Sequence, residues 1–109
     1  MNWEPVVPAA KITDYLLNLD HPVGRPKAEF FIRHGFSTMF ADVFASALIS
    51  HYHQHGVTNT KLGKGGITLV SVDGQMLLPD GQIRMVRSCW WFTATDPTPR
   101  LSTAHPLDE

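Results

Sequence analysis

Apolar residues recur at three- and four-residue spacings through the first half of the chain and crowd into alternating, β-branched runs in the second, so the sequence predicts helices followed by strands. From Ala9 to Asn18, Ile12, Tyr15 and Leu16, extended by Leu19, mark one face of a short amphipathic helix. The run Asp20-His21-Pro22-Val23-Gly24 ends it, because a residue before proline is biased out of the helical region and glycine permits a turn. A second helix begins near Arg25-Pro26, where the missing N–H of proline costs nothing, and stops at Gly35 with Ala28, Phe31 and Ile32 turned inward. Phe36-Ser37-Thr38 offers an N-cap hydroxyl for a longer helix to about His55, with Phe40, Val43, Phe44, Ala47 and Leu48 on one face.

From Val57 to Gly66 the pattern lapses into a polar, Gly/Lys-rich stretch that reads as a mobile loop. Ile67, Leu69 and Val70 then open a strand that continues, with a bend near Gly74, to Leu78. Pro79-Asp80-Gly81 is a turn, since proline presets φ and glycine accepts positive φ. The return strand, Ile83 to Ala94, carries large apolar groups at both parities and is therefore expected at the centre of a sheet. Asp96-Pro97-Thr98-Pro99 turns the chain into a last short strand, Arg100 to Ala104, followed by a frayed tail from Leu107. The order implies an α+β fold in which N-terminal helices pack on one face of a C-terminal antiparallel β-meander. The helical half spans about residues 9–56 and the β half about 66–104.

With 109 residues, 43% of them hydrophobic and 17% charged, the chain is expected to form one domain over 1–109. Nine Lys and Arg against ten Asp and Glu give a net charge of −1, which excludes broad wrapping of a polyanion and leaves room for a local cationic site. The single cysteine, Cys89, allows no internal disulfide and reads as a small buried hydrophobe in a reducing compartment. The opening residues Met-Asn-Trp-Glu-Pro lack the basic-then-apolar pattern of a signal peptide, and no apolar run approaches the length of a membrane span. A cytoplasmic protein without membrane attachment is expected.

Among candidate chemistries, His51-Tyr52-His53-Gln54-His55 is the most conspicuous. His51 and His55 share a helical face and could grip a metal, but the metalloprotease version needs Glu where Tyr52 stands, and no cysteine is near. A solvated last helical turn suits the same histidines, as does His51 alone facing a substrate. Gly63-Lys64-Gly65-Gly66 lacks the spacing and the Ser/Thr of a Walker loop; Lys64 on a flexible loop remains able to touch a phosphate backbone. His21, Arg25 and Lys27 flank a helix start where free amides favour an anion, or else are solvated first-turn side chains. Arg87 and Arg100 fall on neighbouring strands, with Ser102 and Thr103 beside Arg100. Trp90-Trp91-Phe92 is read as core plus one covered outer face.

The stretches Tyr15-Leu16-Leu17-Asn18, His21-Pro22, Lys27-Ala28, Phe30-Phe31, Pro79-Asp80-Gly81, Val86-Arg87-Ser88, Trp90 and Pro99-Arg100-Leu101-Ser102-Thr103-Ala104, in that order, resemble a family of small bacterial domains of unknown function. The architecture is also similar to the barnase–EndoU–colicin–RelE group of ribonuclease folds, an analogy of layout alone. That resemblance implies a metal-independent, toxin-type ribonuclease with no cofactor. Its catalytic set would be His21, Lys27, His51, Arg100 and Thr103, with Arg25, Lys64 and Arg87 touching phosphate or RNA. In such a mechanism an imidazole, His21 or His51, takes the ribose 2′-hydroxyl proton, while Lys27, Arg100 and Thr103 stabilise the phosphorane. The partners implied are RNA, an antitoxin or immunity protein, and a second copy of the chain. The alternative is a non-enzymatic module in which Arg100 pairs with Asp96 and an exposed sheet edge recruits a partner strand. A metal enzyme built on the histidine cluster is the third reading.

Overall fold

The computed structural model describes residues 4–107. Helix α1 opens at Ala9–Lys11 and widens at once into a π-helical turn over Ile12–Leu16, closed by the Leu17 amide donating to the Ile12 carbonyl at 2.8 Å. The wider turn carries Ile12, Leu16 and Leu17 all into the core and leaves Tyr15 at its border, half-buried. Leu19, which the spacing placed on the same face, is exposed because the helix has already ended. Helix α2 spans Arg25–Arg33, with Pro26 in its first turn and Gly35 beyond it at φ 107°. Ser37 caps a 3-10 turn, Thr38–Phe40, by accepting from the Met39 amide. Helix α3 follows from Ala41–His55 and buries Phe44, Leu48 and His51, while Phe40 and Val43 at its start stay exposed.

Four antiparallel strands follow in the order β1-β2-β3-β4: β1 Asn59–Leu62, β2 Ile67–Leu77, β3 Ile83–Thr93 and β4 Arg100–Pro106. The polar stretch read as a loop is thus in part a strand. Asn59, Thr60, Lys61 and Leu62 pair with Ser71, Val70, Leu69 and Thr68, and every one of the four is exposed, so no apolar alternation exists to reveal the strand. Lys64–Gly66 forms the tight connection to β2. At the other end β4 runs two residues beyond Ala104, and the Leu107 amide still donates to the Met85 carbonyl at 2.9 Å; the rest of the tail lies outside the described residues.

Strand parity places Val70, Val72 and Met76 of β2, Val86, Ser88 and Trp90 of β3, and Leu101 and Ala104 of β4 against the helices. The register between β3 and β4 slips at Cys89/Trp90: Thr103 opposes Cys89, and Leu101 opposes Trp90. This bulge leaves Ser102 over and lets Leu101 and Ala104, three residues apart, both face inward. The other face of the sheet carries no layer of secondary structure, and on it Cys89 is only half-buried, its Sγ 3.8 Å from the Ser71 hydroxyl, rather than the enclosed hydrophobe the sequence suggested.

Candidate functional site

The N-terminal segment lies parallel to β4 and covers part of its edge. Val6 donates its amide to the Pro99 carbonyl at 2.8 Å, and Leu101 donates to the Val6 carbonyl at 2.9 Å. This docking sets Lys11 beside Arg100 and Leu101, and α1 then presents Tyr15 over the same edge. A cavity of about 450 Å³ opens there, lined by Pro8, Ala10, Lys11, Tyr15, His21, Trp91, Arg100 and Leu101.

Tyr15 organises the site. Its hydroxyl lies 3.0 Å from the Thr103 hydroxyl on β4, joining the helical layer to the strand. The Lys11 and Lys27 ammonium groups stand 5.4 and 5.6 Å from its ring centroid, each in cation–π contact. The His21 ring packs edge-on at 4.9 Å. Neither lysine has a carboxylate partner among the described residues, so two positive charges converge on one aromatic ring at the rim of a cleft. Gly24 makes the close packing possible at an ordinary φ. A Cβ there would lie 2.6 Å from the Tyr15 carbonyl and 2.7 Å from its Cδ1, so no other residue lets the His21–Gly24 turn close against α1.

That turn also fixes the state of His21. Its Nδ1 accepts from the Val23 amide at 3.1 Å and the Gly24 amide at 2.9 Å. A nitrogen accepting two N–H bonds carries no proton, so the neutral ring holds its proton on Nε2 and presents a donor rather than a base. Arg100 completes the rim, held by Asp96 through Nη2 at 2.8 Å. That hydrogen bond keeps the Asp96 carboxyl below the usual carboxylate range.

Of the residues singled out from the sequence, His21 and Arg100 line the cleft, while Lys27 and Thr103 contact Tyr15 in its wall. The others lie elsewhere. Arg25 is exposed and pairs with Glu29 on the same helix at 3.0 Å. Arg87 grips Asp73 with two hydrogen bonds, 2.7 and 2.8 Å, which hold the Asp73 carboxyl low. Lys64 sits in the connection between β1 and β2, at the opposite edge of the sheet from β4.

His51 is neither in a solvated turn nor at the cleft: it is 1% exposed and closed in between α3 and the sheet. Its Nε2 lies 3.0 Å from the Gly74 carbonyl, which can only accept, so the proton is on Nε2 and Nδ1 takes the Ser88 hydroxyl at 2.9 Å. Ser88 in turn accepts from the Trp90 indole at 2.9 Å, completing a directional chain through the core. Burial pushes the pKa of His51 down, against the raising effect of the Gly74 bond. His55 bonds the Gln75 carbonyl at 2.7 Å and packs on Gly74, where a side chain would collide with its ring. Among the described residues no three His, Cys, Asp or Glu side chains gather as metal ligands do.

Tyr15, Lys11 and Trp91 belong to the cleft although the sequence marked Tyr15 and Trp91 only as packing residues and did not mark Lys11. The usable signal was the four-residue step from Lys11 to Tyr15, which stacks a cation on an aromatic ring along one helical face.

The family described as a domain of unknown function, DUF6883, matches residues 3–108, and the chain belongs to it. No curated protein matches the sequence. The fold is similar to that of a chain in a contact-dependent growth inhibition toxin–immunity protein complex from Klebsiella pneumoniae 342, with a TM-score of 0.75 and 18% identity over 96% of this chain and 95% of that one. At that identity the likeness is one of fold. No described helix is long and apolar enough to cross a membrane.

Proposed function

We propose that this chain is a metal-independent ribonuclease of bacterial toxin type that cleaves RNA at the β4-edge cleft by attack of a ribose 2′-hydroxyl on the adjacent phosphate. The observation that carries the reading is the meeting of Lys11, Lys27, His21 and Thr103 on Tyr15, in the wall of a cleft that Arg100 also lines, in a protein whose net charge is −1. A phosphate-sized concentration of positive charge in a near-neutral molecule suits a reaction whose transition state gathers negative charge on phosphoryl oxygens. The fold similarity to a chain of a toxin–immunity complex supports a role on one side of such a pair.

In the reaction the 2′-oxygen bonds to phosphorus and the bond from phosphorus to the 5′-oxygen breaks, leaving a 2′,3′-cyclic phosphate. Lys11, Lys27 and Arg100 neutralise the phosphorane. With Tyr15 donating to the Thr103 oxygen, the Thr103 hydroxyl proton is released to bond a phosphoryl oxygen, and His21 donates Nε2–H to another. Because Nδ1 of His21 is occupied and His51 is enclosed, the 2′-hydroxyl proton passes to solvent hydroxide, and water returns a proton to the departing 5′-oxygen. The pH–rate profile separates this from imidazole catalysis: the rate climbs about tenfold per pH unit through pH 7–9, whereas a histidine base gives a plateau above about 6.5.

Purified protein incubated with total tRNA and mRNA in excess chelator is expected to yield fragments with cyclic-phosphate ends. Activity should fall in His21→Ala and Lys27→Ala with folding retained. Intact RNA at high protein concentration overturns the reading.

One observation favours a second reading, a module that binds an antitoxin or immunity protein. β1 is an edge strand with a single neighbour and four exposed residues, a template for an added strand. Co-expression with the protein encoded by an adjacent gene, followed by size-exclusion chromatography, tests it; separate elution counts against it.

A further inference from the structure

The strand registers align four side chains into one row across the uncovered face of the sheet: Lys61 opposes Leu69, Leu69 opposes Trp91, and Trp91 opposes Arg100. Directly opposed residues project to the same side, and Trp91 has the parity opposite to Trp90, which packs on α3, so this row lies on the face away from α3, with α1 residues reaching its Arg100–Trp91 end. Trp91 is half-buried and also lines the cleft at the β4 edge, so the row continues the cleft without a break. The neighbouring row, Asn59, Ser71, Cys89 and Thr103, carries small side chains, with the Tyr15 hydroxyl bonded to Thr103 at its β4 end. Neighbouring strands are about 4.8 Å apart, so the row from Arg100 to Lys61 measures about 14 Å.

We infer that a single-stranded RNA segment lies across this face along Arg100, Trp91, Leu69 and Lys61, with one base stacked on the Trp91 indole and flanking phosphates held by Arg100 and Lys61. The inference rests on the reading of the cleft as an RNA-cleaving site and specifies the form of its substrate. A duplex keeps its bases stacked on one another and has none to offer Trp91, whereas an unpaired segment does. Charge fits the same occupant. Lys61 has no carboxylate partner among the described residues, and Asp73, the acid of the nearby outer positions, is neutralised by two hydrogen bonds from Arg87. Asp96 beside Arg100 is the one carboxylate that a phosphate must displace.

The test uses the full chain and three fluorescent probes: a single-stranded RNA octamer, the same sequence as 2′-deoxy DNA, which cannot be cleaved by 2′-attack, and a blunt RNA duplex. Anisotropy is expected to show the DNA octamer binding at least about tenfold more tightly than the duplex. Trp91→Ala weakens octamer binding about tenfold, Trp91→Phe restores most of it, and Lys61→Ala weakens it severalfold while lowering the salt slope by about 0.7, the contribution of one phosphate contact on a single strand. Lys61 is fully on the surface, so its variant reads the face even if a Trp91 variant folds poorly. Equal binding of duplex and octamer, or no loss in both Trp91→Ala and Lys61→Ala, overturns the inference. Octamer binding lost in these variants without cleavage of the RNA probe by the wild type upholds the track and removes the ribonuclease reading. Cleavage at the wild-type rate in both variants removes the track and leaves the ribonuclease reading standing.

Discussion

The enclosed imidazole of His51 makes the stability of the fold depend on pH in a window of its own. Its folded-state pKa is lowered, mainly by burial, from an ordinary value of 6.5. The unfolded chain therefore binds a proton near pH 6.5 more readily than the folded protein does, and stability is full above that pH and falls below it. The loss between pH 7.5 and 5.5 is bounded at about 1.4 kcal/mol, the value for a ring that takes no proton in the folded state. The three carboxyls whose pKa values are lowered, Asp73, Asp80 and Asp96, act only at more acidic pH, near and below 3.8, where the unfolded chain takes up protons that the folded one does not. Urea denaturation at pH 7.5, 6.5 and 5.5 of the wild type and His51→Gln isolates the effect. Gln does not titrate and can still donate to the Gly74 carbonyl and accept from Ser88. The wild type should lose more stability than the variant across that range, by up to about 1.4 kcal/mol. Parallel curves for the two proteins would show that the folded structure admits the imidazolium and would refute the argument from burial.

Ser88→Ala, which strands both the Trp90 indole N–H and the His51 Nδ1, should cost on the order of 1–3 kcal/mol for each unpaired group in thermal or chemical denaturation. Gly24→Ala should destabilise the fold by about 1–3 kcal/mol through collision with the Tyr15 backbone. Nuclear magnetic resonance shifts of the Tyr15 ring and the His21 amide neighbours should report the displaced site. Asp96→Asn releases Arg100 and should tighten octamer binding severalfold at low salt, with the gain vanishing at high salt; an unchanged affinity would place Arg100 outside the phosphate path. Tyr15→Phe keeps the ring beneath the lysines and loses the Thr103 bond, so folding should change by about 1 kcal/mol while cleavage of RNA falls more than tenfold.

The helices and three of the four strands were readable because each buries a face, and burial imposes a period: Phe44 and Leu48 on α3, or Val86 and Trp90 on β3, could sit where they do only in those elements. β1 escaped because it buries nothing; its backbone pairing with β2 is a tertiary fact that leaves no mark on Asn59-Thr60-Lys61-Leu62. Cationic residue types near the second helix and the last strand were legible, and His21, Lys27 and Thr103 do contact one side chain, Tyr15. What joins them was not. The π turn and the absence of a side chain at Gly24 bring Tyr15 within reach of those three, and neither property is encoded in hydropathy. The histidine cluster misled for a related reason: periodicity put His51 on a helical face but could not say that Gly74 leaves room for the helix end to press onto the sheet.

The N-terminal segment bound along β4 makes the two margins of the sheet unequal, one covered in part by the protein's own backbone and one open at β1. The same device that builds a wall of the cleft thus also shields the start of β4 from pairing with another chain.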